Sequence, residues 1–487
     1  MSHMNSVTRQ NSMTRQNREM QMIGTTARSR RSGSGLGRLL ACSVAFSLAA
    51  VAAQAYGQGC IAGTAADEFT ADRAGLTREW ILQLPYVASG YRLEQVVVGD
   101  GLVVAQTTDG TVHAVQSAPL GDTAPPAGSP LPGSLLWSQR VGSGAGPITP
   151  AGIGSGLVTV AHAGGVTSLE RLTGNLRWHE PITQTASAGT AVIGNWVYAA
   201  TSGGSVTRLA VQPLQQPVDA TPAAKSGKKS AKKTKAKKQR KESLEPIAIH
   251  AGGNNRVEIP PLPFVDGVLW CTADGLLVSL QPTELDWRRL EFSLVNPPAG
   301  PPVARDRSIF AATTAGDLAR IDLPASQKEL QFAWHTVLPG PAVSGPFLAG
   351  DTLVVSLGDL GIAAYSAETG AELWQTCLTG LTGKILAVGG GRVWFIDELG
   401  RLSAVDLADG GPRERLCLGP FTLPVVNIHS DRLLLASPSG MLVSLAARGA
   451  GGMPTSAEAT ADGEAGAATA PAAPARDPSD PAAMPRP

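Results

Sequence analysis

The stretch AYSAETGAELW, residues 364–374, decides the fold. Its Thr369-Gly370 pair has the composition of a tight turn, and Trp374 follows four residues after the glycine. The same spacing recurs in LTGNLRW, residues 172–178, where Trp178 stands four residues after Gly174. A turn followed at a fixed distance by a large aromatic residue, found twice, indicates a repeated structural unit.

A seven-residue pattern marks eight copies of this unit. Apolar residues stand two and five places after the opening residue in every copy, and the openings are Gly110, Gly164, Gly204, Gly275, Gly316, Leu360, Gly400 and Gly440. These openings are 54, 40, 71, 41, 44, 40 and 40 residues apart. About 40 residues make four short strands with their turns, which is one blade of a β-propeller.

In each copy a Gly or Asp lies eight to ten residues before the opening residue and marks the start of an earlier strand. Two short strands around a small-residue turn predict a β-hairpin, and an outer strand follows it. Outer strands are predicted near Trp80, Trp137, Trp178, Ile247, Trp287, Trp334, Trp374 and Leu416. The first precedes all hairpins and none follows the last, so an N-terminal strand would complete the final blade. We predict an all-β, eight-bladed propeller over residues 78–448.

Residues 364–374 also resemble the tryptophan-docking motif of the pyrroloquinoline-quinone-like (PQQ-like) repeat, A-x-D-x-x-T-G-x-E-x-W. Ser366 replaces the Asp of that motif, and the residues that match it are Ala364, Thr369, Gly370, Glu372 and Trp374. Residues 168–178 fit less fully. The resemblance spans about residues 78–448 and implies an eight-bladed propeller whose tryptophans hold neighbouring blades together.

Enzymes of this repeat family hold the quinone, a calcium ion and a catalytic Asp in the central channel, and the alcohol dehydrogenases add a Cys-Cys pair. This chain has no Cys-Cys pair, and no position matches the quinone ligands. We therefore predict no catalytic, cofactor-binding or metal-binding residue; a PQQ-dependent oxidoreductase or other channel enzyme is the alternative. His179 and His335 each follow a Trp and are expected to face solvent.

A non-enzymatic relative that the chain resembles in blade number, repeat type and export is the propeller lipoprotein of the outer-membrane β-barrel assembly machinery. This resemblance implies a non-catalytic, monomeric scaffold with envelope proteins as partners. We expect no nucleic-acid partner, because the basic segment carries no aromatic residues for base stacking.

The N-terminus predicts export to the periplasm or cell envelope. Arginines precede the apolar residues 39–53, and Ala53-Gln54-Ala55 offers a small-x-small cleavage pattern. Residues 1–55 are therefore predicted to be a signal with a polar extension, and residues 56–77 a short linker; an uncleaved anchor is the alternative. Gly57-Gln58-Gly59-Cys60 lacks the Leu usual in a lipid-attachment box, which leaves lipidation at Cys60 open.

Charge is segregated along the 487 residues, whose net charge is +1. Residues 225–241 hold ten basic and no acidic residues, so we expect a disordered insertion that is either merely solvated or weakly attracted to anionic lipid or polymer. The Ala/Pro-rich residues 449–487 are expected to be disordered as well.

Cysteine usage supports no metal or redox motif, because Cys60, Cys271, Cys377 and Cys417 form no C-x-x-C pair. Buried reduced thiols are expected. A disulfide between Cys377 and Cys417, which occupy similar places in successive repeats, is the alternative.

Overall fold

The computed structural model describes most of the chain between residues 61 and 448. The described ranges are 61–64, 66–85, 90–117, 130–142, 146–182, 184–211, 247–250, 256–282, 287–325, 329–374, 383–397 and 399–448. The predicted signal (1–55), the Lys-rich segment (225–241) and the C-terminal tail (449–487) lie outside the described residues.

The strands form eight antiparallel sheets, which are the blades. Blade 1 holds β3 (Leu93–Gly99), β4 (Leu102–Thr107), β5 (Thr111–Gln116) and β6 (Leu135–Arg140). Blade 2 holds β7 (Gly152–Gly154), β8 (Leu157–His162), β9 (Gly165–Glu170) and β10 (Leu176–Glu180). Blade 3 holds β11 (Ala186–Ile193), β12 (Trp196–Thr201), β13 (Ser205–Ala210) and β14 (Ile247–His250). Blade 4 holds β15 (Leu262–Phe264), β16 (Gly267–Cys271), β17 (Leu276–Pro282) and β18 (Trp287–Ser293).

The second half of the chain repeats this plan. Blade 5 holds β19 (Val303–Arg305), β20 (Ser308–Ala312), β21 (Asp317–Asp322) and β22 (Gln331–Val337). Blade 6 holds β23 (Ser344–Ala349), β24 (Thr352–Ser356) and β25 (Ile362–Ser366), with a 3₁₀ turn at Gly358–Leu360. Blade 7 holds β26 (Gly383–Gly389), β27 (Arg392–Asp397), β28 (Arg401–Asp406) and β29 (Pro412–Cys417). Blade 8 holds β30 (Leu423–Pro424), β31 (Arg432–Ala436) and β32 (Met441–Ala447).

Hydrophobic residues between blades form a closed series of cores. Each of eight buried clusters joins two consecutive blades, and the cluster that contains Trp80, Leu434 and Val96 joins blade 8 to blade 1. Burial of these apolar surfaces is the main stabilising contribution to such a ring. The predicted eight-bladed all-β propeller is confirmed.

The ring is closed by the N-terminal segment, as the sequence predicts. β2 (Leu76–Gln83) pairs antiparallel with β32 and becomes the outer strand of blade 8. Within β2, Trp80 is buried. This pairing removes the edge that β32 would otherwise expose.

The segment expected to be a short linker contains two further elements. β1 (Ile61–Thr64) pairs in parallel with β29, so blade 7 has five strands. Helix α1 (Glu68–Arg73) begins at Asp67, whose side chain accepts a hydrogen bond from the Thr70 backbone N–H at 3.0 Å. We call residues 61–83 the N-terminal clasp, because its three elements contact blades 7 and 8.

Arginines fix this clasp to the ring. Arg392 of blade 7 donates to the Ala74 carbonyl at 2.7 Å, and Arg432 of blade 8 pairs with Glu79 at 2.9 Å. The helix also buries Ala71, which packs with the core between blades 7 and 8. The clasp therefore combines backbone pairing, ion pairs and apolar packing.

Tryptophans on the outer strands β6, β10 and β22, and Trp374 after β25, dock onto the following blade. The indole N–H donates to a backbone carbonyl there in four cases: Trp137 to Arg171, Trp178 to Val211, Trp334 to Ala367 and Trp374 to Leu407, at 2.8–3.1 Å. Gly410 faces the Trp374 ring at a φ of +72°, so the turn glycine both reverses the chain and makes room for the indole. This geometry explains the turn-and-aromatic spacing in the sequence.

Two outer-strand tryptophans depart from this geometry. Trp287 lies on the predicted strand, but Leu290 occupies the docking register opposite Ser279. Trp287 instead packs back toward blade 3, where the Arg208 guanidinium lies 4.6 Å from its ring centroid. Trp80 docks between blades 8 and 1, yet its indole N–H has no hydrogen-bond partner among the described residues.

The contribution of the docking hydrogen bond to the free energy of unfolding can be measured by comparing Trp374→Phe with Trp80→Phe. Both changes shrink a buried aromatic side chain, but only the first breaks an indole-to-carbonyl bond. We expect Trp374→Phe to lower the free energy of unfolding by about 1 kcal/mol more than Trp80→Phe, measured by urea unfolding. Equal losses would show that the hydrogen bond contributes nothing.

Candidate interaction surfaces

The inner strands of the blades, which surround the central channel, are almost free of charge. Among the described residues of these eight strands, the charged side chains are those of Glu94, Arg305 and Lys384. Arg305 is engaged at the channel rim, where it donates to the Gly350 carbonyl at 2.7 Å. The channel therefore offers mainly small and apolar side chains.

Carboxylate ligands for calcium are scarce on the described inner strands. Calcium takes six to eight oxygen ligands, among them carboxylates, whereas Glu94 is the one carboxylate on the described inner strands. In the part of the chain that the structure describes, no group of three or more His, Cys, Asp or Glu side chains could hold a metal ion.

The structure places both histidines that follow a Trp in solvent-exposed positions, as the sequence predicts. His179 also stacks on His162, a contact that the sequence analysis missed, with 5.3 Å between ring centroids. Thr167 bridges the pair, with its hydroxyl 2.8 Å from His162 and 3.0 Å from His179. Burial, followed by repulsion from His179, lowers the pKa of His162, which favours its neutral form.

The cysteines divide into two kinds. Cys271 is a buried free thiol, as expected, and burial raises its pKa to about 12. The expectation of a reduced thiol is wrong for Cys417, which is disulfide-bonded. Its disulfide partner is a cysteine that lies outside the described residues, as Cys60 and Cys377 both do.

The two ring faces carry different connections. Because successive strands are antiparallel, turns between the second and third strands share one face with the links to the next blade. We call this the link face. The other face, which we call the hairpin face, carries the turns between the first and second strands and between the third and fourth strands of the blades.

Three exposed valines lie on the link face of blades 4 to 6. Val295 follows β18, Val337 ends β22 and Val343 precedes β23, and their exposed fractions are 80%, 73% and 55%. We call these three valines the link-face patch. The link between blades 4 and 5 approaches the inner strand of blade 6, since a Cβ on Gly300 would lie 3.0 Å from the Gly345 carbonyl oxygen.

Polar side chains hold the link that carries Val295 against blade 5. Asp317 accepts hydrogen bonds from Asn296 at 2.9 Å and from Thr313 at 2.9 Å, and it lies 3.1 Å from His335. Burial acts to raise the pKa of Asp317, but these hydrogen bonds outweigh it and lower that pKa below its usual value. The link that carries Val295 is thus held by a charged carboxylate.

Val295 occupies the left-handed backbone region, with a φ of +70°. A β-branched residue rarely adopts this conformation, which costs about 1–2 kcal/mol. An exposed residue gains nothing in the core that offsets this cost, so the strain points to a role at the surface.

The strain can be tested by Val295→Asn, because Asn tolerates the left-handed region. We expect the variant to gain about 1 kcal/mol in free energy of unfolding, measured by urea titration. Val343→Asn, an exposed valine outside the left-handed region, is the matched control and should be near neutral. A loss of stability in Val295→Asn would contradict the assignment of strain.

No signal in the sequence predicted the patch, because single exposed valines look like any other apolar residue. Within the N-terminal clasp, β1 and helix α1 were also missed, although the Asp67 cap preceding an acidic residue is a helix-start signal. Among the described residues, no helix has the length and apolar character needed to cross a bilayer.

Comparison with known families gives a match over more than half of the chain. The sequence model of the family described as "Outer membrane protein assembly factor BamB" matches residues 126–217 and 270–449. Outer membrane protein assembly factor BamB of Shewanella oneidensis is 34% identical over 76 residues, which are 16% of this chain. The match covers 18% of that relative's length.

Solved structures show the same fold at low sequence identity. The crystal structure of BamB from Moraxella catarrhalis superposes with a TM-score of 0.52 at 18% identity, covering 76% of this chain and 97% of that one. The computationally designed Ika8 protein also superposes with a TM-score of 0.52, at 12% identity, covering 73% and 96% of the two chains. Since a designed protein shares the architecture, the fold alone does not specify a function.

Proposed function

The chain belongs to the family of outer membrane protein assembly factor BamB, and we propose that it is an exported, non-catalytic scaffold for outer-membrane protein assembly. Family membership is the observation that carries this proposal. The disulfide at Cys417 supports an oxidising compartment such as the periplasm. The signal-like residues 1–55 support the same location.

We assign partner binding to the link-face patch. Its valines are exposed apolar groups on links that the ring holds in place, which lowers the entropic cost of binding. The proposed partner is another envelope protein of outer-membrane assembly, bound by a single propeller. No cofactor is part of this proposal, because the described residues of the inner strands supply one carboxylate.

Site-specific photo-crosslinking in the producing cells tests this assignment. A photoreactive side chain at Val343 should crosslink to an outer-membrane assembly protein. The matched control is Leu172, which is exposed on the hairpin face of blade 2 and should give no such product. Crosslinks from both positions, or from neither, would contradict the assignment.

Charged substitutions should weaken the binding of a partner to the same surface. Val295→Asp with Val343→Asp would bury two carboxylates against an apolar partner, so co-purification of that partner should fall at least tenfold. Leu172→Asp should leave it unchanged. Dye-linked oxidation of alcohols or sugars after reconstitution with PQQ and calcium would instead favour the enzymatic alternative.

A further inference from the structure

A chain of hydrogen bonds joins two histidines of blade 2 through Thr167. The Thr167 hydroxyl lies 2.8 Å from His162 Nε2 and 3.0 Å from His179 Nδ1. At the opposite edge of its ring, His162 Nδ1 accepts a hydrogen bond from the Gly164 backbone N–H at 3.1 Å. The chain therefore connects β8, the β8–β9 turn, β9 and β10 at the link-face end of the blade.

The direction of each hydrogen bond follows from the Gly164 contact. A backbone N–H can only donate, so His162 Nδ1 is the unprotonated nitrogen of the neutral ring and Nε2 carries the proton. His162 Nε2 then donates to the Thr167 oxygen, and the Thr167 hydroxyl donates to His179 Nδ1. In this arrangement both rings are neutral, and every hydrogen bond has one donor and one acceptor.

The surroundings shield the His162 end of this chain from water. Thr167 is buried and His162 is half-buried. A Cβ on Gly142, which follows β6 of blade 1, would lie 3.0 Å from the His162 ring, so the link from blade 1 packs against that ring. The His179 ring stacks on it with 15° between the ring planes. A positive charge on His162 would therefore be poorly hydrated and would face a second imidazole.

The charged residues of the neighbouring elements are engaged elsewhere. Glu170 and Arg177 pair with each other at 2.6 Å, and Glu180 alternates to the other side of β10 from His179. On blade 1, Asp109 accepts hydrogen bonds from two threonines of its own hairpin, and Arg140 ends β6 with a positive charge. Among the described residues, neither imidazole has a carboxylate as a hydrogen-bond partner. These contacts supply no paired negative charge that would favour a proton on either ring.

We propose that this chain is a pH-sensitive latch, which holds the β8–β9 turn closed while His162 is neutral and releases the turn when His162 is protonated. A proton added to His162 Nδ1 would point at the Gly164 N–H. Because a donor cannot pair with a donor, the hydrogen bond between the end of β8 and its turn must break. The turn then has to move to let water reach the charged ring.

Release of the turn would open a cavity on the link face between blades 1 and 2. His162 and the turn residue Ala163 line this cavity, and its apolar wall includes Val112, Val141 and Val160. Movement of the turn takes away one side of the cavity. Acidification should therefore expose an apolar surface that is covered at neutral pH.

The direction of the pH dependence follows from the environment of His162. Burial, followed by repulsion from His179, lowers the pKa of His162 below its ordinary value of about 6.5. In the released turn the ring is hydrated, so its pKa returns toward the ordinary value. The released form therefore takes up a proton at a higher pH than the closed form. The closed turn is fully favoured above about pH 6.5, and this preference is lost progressively as the pH falls below that value.

Hydrogen exchange of the purified full chain at about pH 7.5 and about pH 5 tests the proposal. Protection factors, which correct for the pH dependence of exchange in free amides, are compared for residues 160–166. We expect the protection of this segment to fall at least about tenfold at the lower pH, because each pH unit below the ordinary His pKa favours the protonated, released form about tenfold. The matching turn of blade 1, residues 107–111, contains no histidine and should keep its protection.

Substitutions separate the titration of His162 from the loss of a hydrogen bond. His162→Asn keeps an oxygen that can accept from the Gly164 N–H but takes up no proton, so the turn should stay protected at both pH values. Thr167→Val removes the bridging hydroxyl and should lower the protection already at about pH 7.5. His179→Asn removes the repulsion that lowers the pKa of His162, so the release should move to a higher pH.

Unchanged protection of residues 160–166 at the lower pH, an equal loss in the turn of blade 1, or a loss that persists in His162→Asn would each overturn the proposal. The proton positions give a second test on the chain without substitutions. A ¹⁵N spectrum of the imidazoles at about pH 7.5 should show the His162 proton on Nε2, and a proton on Nδ1 would overturn the proposal as well. Neither measurement involves a partner, so their outcome is independent of the proposed function.

Discussion

Removing residues 56–86 should give a protein that aggregates or loses most of its free energy of unfolding. The deletion takes away β2, the fourth strand of blade 8, with the buried side chains of Leu76, Trp80 and Leu84. Burial of a large apolar side chain contributes about 1.5–3 kcal/mol, so the loss is roughly 5–9 kcal/mol. That approaches the whole stability of many proteins, about 5–15 kcal/mol.

The loss has a second cause, since the deletion also opens a sheet edge. Without β2, the outward backbone groups of β32 are unpaired, and two of the eight interblade cores are exposed. Light scattering and urea unfolding measure the two effects. Deletion of residues 225–241 is the control and should leave the melting temperature within a few degrees, because loop length has a small entropic effect. A soluble truncated monomer with an unchanged midpoint would show that the ring closes without the clasp.

The blade count and the closing strand could be predicted from sequence because each rests on a local signal. A turn glycine such as Gly400 and the apolar residues after it, Leu402 and Val405, recur at fixed spacing, and each copy repeats one supersecondary unit. The position of β2 followed from counting, since eight outer strands and eight hairpins require the first strand to join the last blade. The structure confirms this pairing.

Features that depend on contacts between distant residues were not predictable in this way. Trp287 lies on a correctly predicted outer strand, but its ring packs against Arg208 of the preceding blade, and Leu290 takes the docking register. The sequence shows a Trp near the expected position and cannot show a shift in register. Of the clasp, β1 and α1 were missed because they are short and stable only against blades 7 and 8.

The candidate site depends still more on tertiary structure. Val295 and Val343 are 48 residues apart and carry no motif, and the antiparallel topology places both on the link face. The strain at Val295 is a backbone property that a Val in the sequence argues against. The family resemblance predicted a scaffold, but the surface proposed to bind its partner had to come from exposure and topology.

Gly410→Ala should be among the most destabilising single substitutions in the propeller. A methyl group there would lie 2.8 Å from ring atoms of Trp374, which is buried, docked and hydrogen-bonded to the Leu407 carbonyl. The ring cannot move away without losing that bond and the core between blades 6 and 7. With the left-handed backbone at φ +72° adding about 1–2 kcal/mol, we expect a loss of at least about 3 kcal/mol.

Gly400→Ala, in the same blade, separates the effect of the contact with Trp374 from the cost of the left-handed backbone conformation. Gly400 has a φ of +68°, but a methyl group there meets no atom within 4 Å. Its substitution should therefore lower the free energy of unfolding only by the cost of placing Ala in the left-handed backbone region, about 1–2 kcal/mol. The difference between the two variants, measured by urea unfolding, is the contribution of the docked tryptophan. If the two losses were equal, tryptophan docking would not hold blades 6 and 7 together, and the spacing of turn and Trp would reflect chain reversal alone.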